Sequence, residues 1–209
     1  MHINVHFGMG IIIASLTNYF IPLNIFTFSF IVLCSFILDF DIIFKKHAKD
    51  QNHRMLISHS IYPSLIIIII GIIIGIIFNE IWVLMGGIAY FCHILIDLID
   101  WGTNFFYNKK MFGLRILLTP EERIDLSHVI NDKENRQFFF VQRYYSSKLM
   151  IFLEIIIGIS MFIALFVFSI NYWYFLFGYI FFFAFHFSEY IELKNRKMGK
   201  KTRIPLIKH

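Results

Sequence analysis

Apolar side chains fall in long runs separated by short polar breaks. Residues 23–44, 61–78, 81–99, 149–170 and 172–191 each approach the roughly 20 apolar residues that a helix needs to cross a bilayer. Residues 7–20 form a shorter run that stops before Pro22 and predicts a tilted or partly embedded helix. Ile and Phe dominate the runs, and Gly and Pro are few, so the runs predict helices rather than barrel strands. The breaks differ in kind. Residues 79–80 and Asn171 are tight turns, 45–59 and 100–148 are polar segments, and 193–209 is a polar tail. Thr119-Pro120 with Glu122 three residues after the Thr has the form of a helix start, predicting a short helix to about Ile130. Residues 138–145 (FFFVQRYY) combine aromatics with Arg143 and suit the interfacial plane, as an anchor or as the border of a lipid-accepting site. Gly71 and Gly75, four apart, are candidates for a close helix contact.

The expected fold class is therefore all-α, a multi-pass transmembrane bundle of about six helices. Its expected parts are a membrane-embedded domain over 1–148 that includes loop 100–148, a helical hairpin over 149–192, and a basic tail over 193–209. Composition agrees: 58% hydrophobic residues, 19% aromatics and a mean hydropathy of +0.68 exceed what a soluble domain of this length carries.

Charge adds an orientation. Residues 45–54 hold four Lys or Arg, 109–148 eight and 194–208 seven, which accounts for all 19. The breaks at 20–24, 79–80 and 171 hold none. Basic and neutral breaks alternate along the chain, the positive-inside pattern, so both termini and the basic segments are expected in the cytoplasm and the protein in the cell membrane. The lipid bilayer is the expected partner, and no nucleic acid is predicted. Cys34 and Cys92 lie inside apolar runs without a CxxC, so both are expected as free buried thiols. No cleavable signal peptide is evident.

Against this background the ionisable residues near the ends of the runs stand out. His93 and Asp97 are four apart and share a helix face, with Asp100 one turn on. Under the alternating topology His6, Asp39, Asp41, His53, His59, His93, Asp97 and Asp100 all fall near the cytoplasmic ends of their runs. Four stretches thus bring N and O donors to one layer. Charged groups there are costly unless paired, and a metal ion would pair them all. A hydrogen-bonded His93–Asp97 pair is the simpler alternative. Asp39 and Asp41 are two apart and converge only if the helix ends there. Arg54, with Ser58 and Ser60 around His59, suits a phosphate-sized anion, though an ordinary basic loop also uses Arg. His2, His47, His128 and His209 are expected on the solvated surface, and His186 with Glu189, like Glu154, as snorkelling groups. No HExxH, GxSxG or P-loop motif is present.

These elements in this order resemble the YdjM-like family of membrane-bound metal-dependent hydrolases over roughly residues 6–120. The resemblance rests on His6-Phe7-Gly8, Asp39-Phe40-Asp41, His53-Arg54 followed by Ser58-His59-Ser60, His93…Asp97 followed by Gly102, and Leu117 to Pro120. Leu38 stands where the family has Pro, and Met55 where it has Gly. The family distantly resembles zinc-dependent phospholipase C and the S1/P1 nucleases, which implies phosphoester hydrolysis. On this reading the metal ligands are His6, Asp39, Asp41, His59, His93 and Asp97, with His53 and Asp100 as further candidates, too many for one tetrahedral ion. Zn²⁺ is the expected metal, with Mn²⁺ or Fe also compatible with N/O donors. Asp41 or Asp100 would take a proton from water, Arg54 would hold the substrate anion, and the substrate would be a lipid-borne or other phosphorylated molecule. The alternatives are an ion or proton transporter and a non-catalytic membrane scaffold with a structural metal. A relay needs polar groups reaching the far side, where Glu80 is the only charged residue.

Overall fold

A computed structural model describes residues 1–124 and 136–197. They form eight α-helices: α1 (Ile3–Phe20), α2 (Ile25–Phe36), α3 (Ile61–Phe78), α4 (Trp82–Asp100), α5 (Pro120–Ile124), α6 (Arg136–Ser146), α7 (Lys148–Phe168) and α8 (Phe175–Lys197). Among the described residues there is no strand beyond one isolated bridge, between Thr103 and Phe112, so the molecule is an all-α bundle. Among the described residues, four segments are long and apolar enough to cross a membrane: Ile25–His47, Ile61–Phe78, Trp82–Asp100 and Lys148–Phe168.

α1 and α8 are not among those four, and α1 has a physical reason. It begins at Ile3, four residues before the apolar run, and packs against α2, α4, α7 and α8. A helix enclosed by protein needs no apolar surface toward lipid, and α1 buries Asn4, His6, Ser15 and Thr17. α3 is the opposite case. Only Ser64 and Gly71 of its residues are buried, and most of its isoleucines face outward. α3 packs on α4, and α4 on α2. A Cβ on Gly71 would lie 2.4 Å from the Leu84 backbone, and one on Gly87 2.8 Å from Ile68. The close approach thus sets Gly71 against Leu84 and Gly87 against Ile68. The expected partner Gly75 has its nearest neighbour at 3.7 Å and makes no such contact.

The bundle has two unlike ends. At one, Asn24 and Thr27 form a reciprocal cap on α2, and Asn79 closes α3 in the left-handed region (φ 56°). There the Asn18 amide reaches the Phe168 carbonyl at 3.1 Å, and Phe28 stacks on Tyr172 at 4.1 Å. No Lys or Arg lies in the turns of this end. The other end carries the basic segments and the His and Asp residues.

Here α2 tightens after Phe36 into a 3₁₀ stretch, Ile37–His47, followed by short 3₁₀ turns at His53–Met55 and Ile57–His59. Thr119 caps α5 as the sequence predicts: its hydroxyl accepts from Glu122 N and the Glu122 carboxylate accepts from Thr119 N. The expected end of that helix near Ile130 lies outside the described residues. α7 and α8, the expected separate hairpin, share one apolar core with α1 and α2, built from Phe7, Ile11, Phe28, Met161 and Leu165 with Phe175 and Phe182 against it. Of the expected basic tail, residues 193–197 continue α8, and the rest lies outside the described residues.

Candidate metal centre

Four segments converge at the polar end. α1 contributes His6, the 3₁₀ stretch Asp39, the 57–59 turn His59, and α4 His93 and Asp97. The three imidazoles and Asp97 are essentially inaccessible to water. His6 and His93 stack with ring centroids 3.7 Å apart. Asp97 sits among them: Oδ1 is 3.2 Å from His6 Nε2, and Oδ2 is 3.4 Å from His93 Nε2 and 3.7 Å from His59 Nε2. Asp39 Oδ1 lies 3.8 Å from His93 Nε2. Two groups of side chains bring donor atoms within 4.8 Å of one another: His6, Asp39, His93 and Asp97, and then Asp39, His53 and His59. Asp39 belongs to both, so the arrangement can hold two ions with a shared carboxylate, or one ion at either position.

The hydrogen-bond pattern decides what the rings can do. His93 Nδ1 lies 2.7 Å from the Ser35 carbonyl oxygen, which can only accept, so Nδ1 carries a proton, and in the neutral ring Nε2 presents the lone pair. His59 Nδ1 likewise donates to Asp41 Oδ2 at 2.9 Å, leaving its own Nε2 as a lone pair. A histidine ligand held at its distal nitrogen by a carbonyl or carboxylate is the usual outer arrangement of a metal site. The atoms so aimed make no hydrogen bond of good geometry: His6 Nε2, His59 Nε2, His93 Nε2, Asp97 Oδ2 and Asp39 Oδ2 are all buried, with the three imidazole nitrogens 3.2–3.7 Å from Asp97. Each such atom costs about 1–3 kcal/mol if left without a partner. Their convergence in these two groups fits one or two cations, and the donor set of imidazole and carboxylate suits a divalent metal.

The expected catalytic residues are arranged differently. Asp41 holds His59 and accepts from the Ser58 hydroxyl through Oδ2, while its Oδ1 is unpaired. It is absent from both groups of converging donors, so its observed part is to orient His59. Arg54, expected to hold a substrate anion, turns its guanidinium fork inward, to Asp100 at 2.7 Å and Asp97 at 3.0 Å. Burial alone would lower its pKa, but Asp100 and Asp97 outweigh burial and hold it above the ordinary value. Asp100, expected as a base or ligand, is occupied by Arg54, by the Trp101 amide at 2.6 Å and by the Met1 amino group at 2.5 Å. His53 stands 5.1 Å from the His59 ring, and its pKa is pushed well down by burial, then by His59 and Arg54, which favours the neutral form that a ligand needs.

The segment after α4 fixes the loop that carries His53 and His59; the sequence reading named Gly102 there, as part of the resemblance, but not Thr103 or Asn104. Gly102, at φ +82°, turns the chain back where a Cβ would meet the Phe112 carbonyl at 2.6 Å. Thr103 then donates its hydroxyl to the His59 carbonyl, Asn104 N donates to the Arg54 carbonyl at 3.0 Å, and Asn104 Nδ2 donates to the Met55 carbonyl at 3.2 Å. The Tyr90 hydroxyl holds the Ser58 carbonyl at 2.7 Å. The Gly102-Thr-Asn run was the available signal.

A second polar cluster lies beside the centre. Glu154 is buried, not snorkelling, and accepts from Asn4 Nδ2 at 2.6 Å and the Tyr144 hydroxyl at 2.9 Å. His2, expected on the surface, is stacked between Tyr144 at 3.7 Å and His186 at 4.4 Å, and burial pushes its pKa well below the ordinary value. His186 pairs with Glu189 at 3.2 Å. His47 is exposed, while His128 and His209 lie outside the described residues. Both cysteines are free, with Cys34 buried and Cys92 partly so. Comparison with protein-family models, curated proteins and solved structures finds no match for this chain.

Proposed function

We propose that this chain is a membrane-bound metal-dependent hydrolase acting on phosphoesters. The observation that carries the reading is the convergence of two carboxylates and three buried imidazole Nε2 atoms that make no hydrogen bond of good geometry, with two of the rings fixed at Nδ1. His6, His93, Asp97 and Asp39 would hold one divalent ion, and His59 and His53 with the shared Asp39 a second. Zn²⁺ suits the donors best, with Mn²⁺ or Fe next. Bound there, such an ion supplies Lewis acidity toward a phosphoryl oxygen and acidifies a water molecule at neutral pH.

The chain's own residues do the rest. The Ser35 carbonyl and Asp41 keep the rings of His93 and His59 turned inward. Arg54 and Asp100 balance and fix Asp97. The unpaired Asp41 Oδ1 is the proton acceptor for water. The resemblance to the YdjM-like family supports the same chemistry. The topology proposed with it has six crossings, α1 and α8 included, and the centre at the cytoplasmic face of the cell membrane.

The test is elemental analysis of the purified protein, followed by hydrolysis of phosphodiesters by the same sample. Stoichiometric metal and an activity abolished by His93→Ala are expected. Metal-free protein, or full metal retention in His93→Ala, overturns the reading. Reconstituted vesicles separate it from transport, because flux of metal ions that depends on His93 would favour a transporter.

A further inference from the structure

A cleft of about 520 Å³ opens beside the centre and shares His53 and Arg54 with it. That volume suits a small molecule and is far larger than a free phosphate ion requires. Its lining is of two kinds. Lys45 adds a cation to Arg54, and among the described residues the carboxylate in the lining is Glu189, held by His186 Nδ1 at 3.2 Å. Trp101, Phe140 and Val141 are apolar, with Trp101 edge-on to Phe140 at 4.7 Å. Ile42 reaches the cleft from the 3₁₀ stretch, whose neighbouring side chains are bare: Ile43 is 70% exposed and Phe44 54%. The lining thus joins apolar side chains, continuous along the chain with this exposed stretch, to the cation of Lys45 beside the Arg54–Asp100 pair. A water-soluble phosphate would use only the cation, whereas an amphiphile would use both.

We infer that this cleft receives the anionic phosphate headgroup of a membrane lipid, with the first part of its tail lying along Ile42, Ile43 and Phe44. The inference rests on the hydrolase reading and names its substrate class. Phosphate meets Lys45 beside the Arg54–Asp100 pair, and Trp101 and Phe140 cover the glycerol or first methylene groups. α6, which supplies Phe140 and Val141, forms one side of the cleft.

Trp101 makes the test direct. The chain has three Trp, so Trp82→Phe with Trp173→Phe leaves Trp101 as the sole emitter. This full-length protein, in neutral detergent micelles, is titrated with phosphatidic acid brominated on its acyl chains, and in parallel with brominated phosphatidylcholine. Expected is saturable quenching by phosphatidic acid, with phosphatidylcholine about tenfold weaker, since one charge-assisted contact is worth roughly a decade in affinity. Lys45→Ala should weaken phosphatidic acid by about the same factor, and Ile42→Asp should abolish saturation. Millimolar inorganic phosphate should leave the quenching unchanged. Equal quenching by both lipids, or no saturation, overturns the inference. So does displacement by inorganic phosphate, which would make this a site for the free ion. If the double Trp variant does not fold, native mass spectrometry of the wild type with the same two lipids gives the same comparison. Metal measured on the same sample separates the two readings: bound metal without lipid quenching removes the lipid cleft alone, and lipid quenching without metal removes the hydrolase and keeps the cleft.

Discussion

His93 and Asp97 illustrate how far a side-chain pattern carries. Their spacing puts both on one face of α4, and the structure brings them to 3.4 Å of each other. What spacing could not tell is which carboxylate serves which ring. Asp39 and Asp41 are two apart in sequence, yet one faces His93 and the other binds His59. On an α-helix residues two apart point about 160° from each other, and in a 3₁₀ stretch about 120°, so the tightening after Phe36 lets both turn inward to different partners. Asp97, one of the converging donors, and Asp41, which is not, should respond differently to removal of charge. Asp97→Asn should lose the metal outright, and Asp97→Asn with His93→Ala should lose little more than either alone, because the two act on one ion. Asp41→Asn should keep the metal but weaken its affinity about 10–100-fold, as expected for a group that orients a ligand. Competition with a chelator of known affinity separates the cases.

Arg54 gives a second prediction at this scale. Removing one member of a buried ion pair costs about 3–5 kcal/mol, because the partner charge is left alone. Arg54→Met should accordingly destabilise more than Arg54→Met with Asp100→Asn, although the double variant has lost more hydrogen bonds. Thermal unfolding in detergent reads the difference. His2 adds a dependence on pH. Its folded pKa is depressed below 6.5, so below pH 6.5 the unfolded chain takes up a proton there that the folded chain refuses. Its contribution to stability is full above that pH and is lost as pH falls toward the folded pKa. His2→Phe should flatten that part of the melting profile, and an unchanged profile would show that burial of His2 does not set it.

Among the elements, α3 and α4 were legible as apolar runs to within a residue, and their contact was not. The sequence offers Gly71 and Gly75 as equal candidates, and only the crossing against α4 distinguishes them. Gly71 meets the Leu84 backbone, whereas a Cβ on Gly75 would make only an ordinary contact, 3.7 Å from the Glu80 carbonyl. Gly71→Ala should force the helices apart and destabilise by about 1–3 kcal/mol, the usual cost of overpacking. Gly75→Ala should be neutral or stabilising by up to about 1 kcal/mol, since alanine is the better helix former. Equal effects would mean that the helices cross elsewhere. The 53–61 loop was the least legible element. No periodicity marks it, and its shape is set by backbone contacts from Thr103, Asn104 and Phe105 that are distant in sequence.

For the whole molecule, the alternation of basic and neutral breaks corresponds to two physical ends of the bundle, and α1 decides how many times the chain crosses. Its enclosure by four helices explains why composition alone ranks it low. Its far end carries Tyr19 and Phe20 in exposed positions, followed by the exposed Phe26 at the start of α2. Trp173 and Tyr174 are exposed at the turn between α7 and α8. Tyr and Trp, with apolar bodies and polar edges, gather at the membrane–water boundary, so Tyr19, Trp173 and Tyr174 are expected at one boundary level. The Tyr19 ring, 5.0 Å from Phe168, puts the Phe20 end of α1 beside the α7–α8 turn. A cysteine at Phe20 should then be labelled from outside intact cells by a membrane-impermeant maleimide, as should one at Asn171, while one at Asn108 should react only after lysis. The native Cys34 and Cys92 lie inside helices and serve as the background. If Phe20→Cys were labelled only after lysis, α1 would not cross. The chain would then have an odd number of passes or a re-entrant first helix, and the turns at 79–80 and 171 would decide between the two.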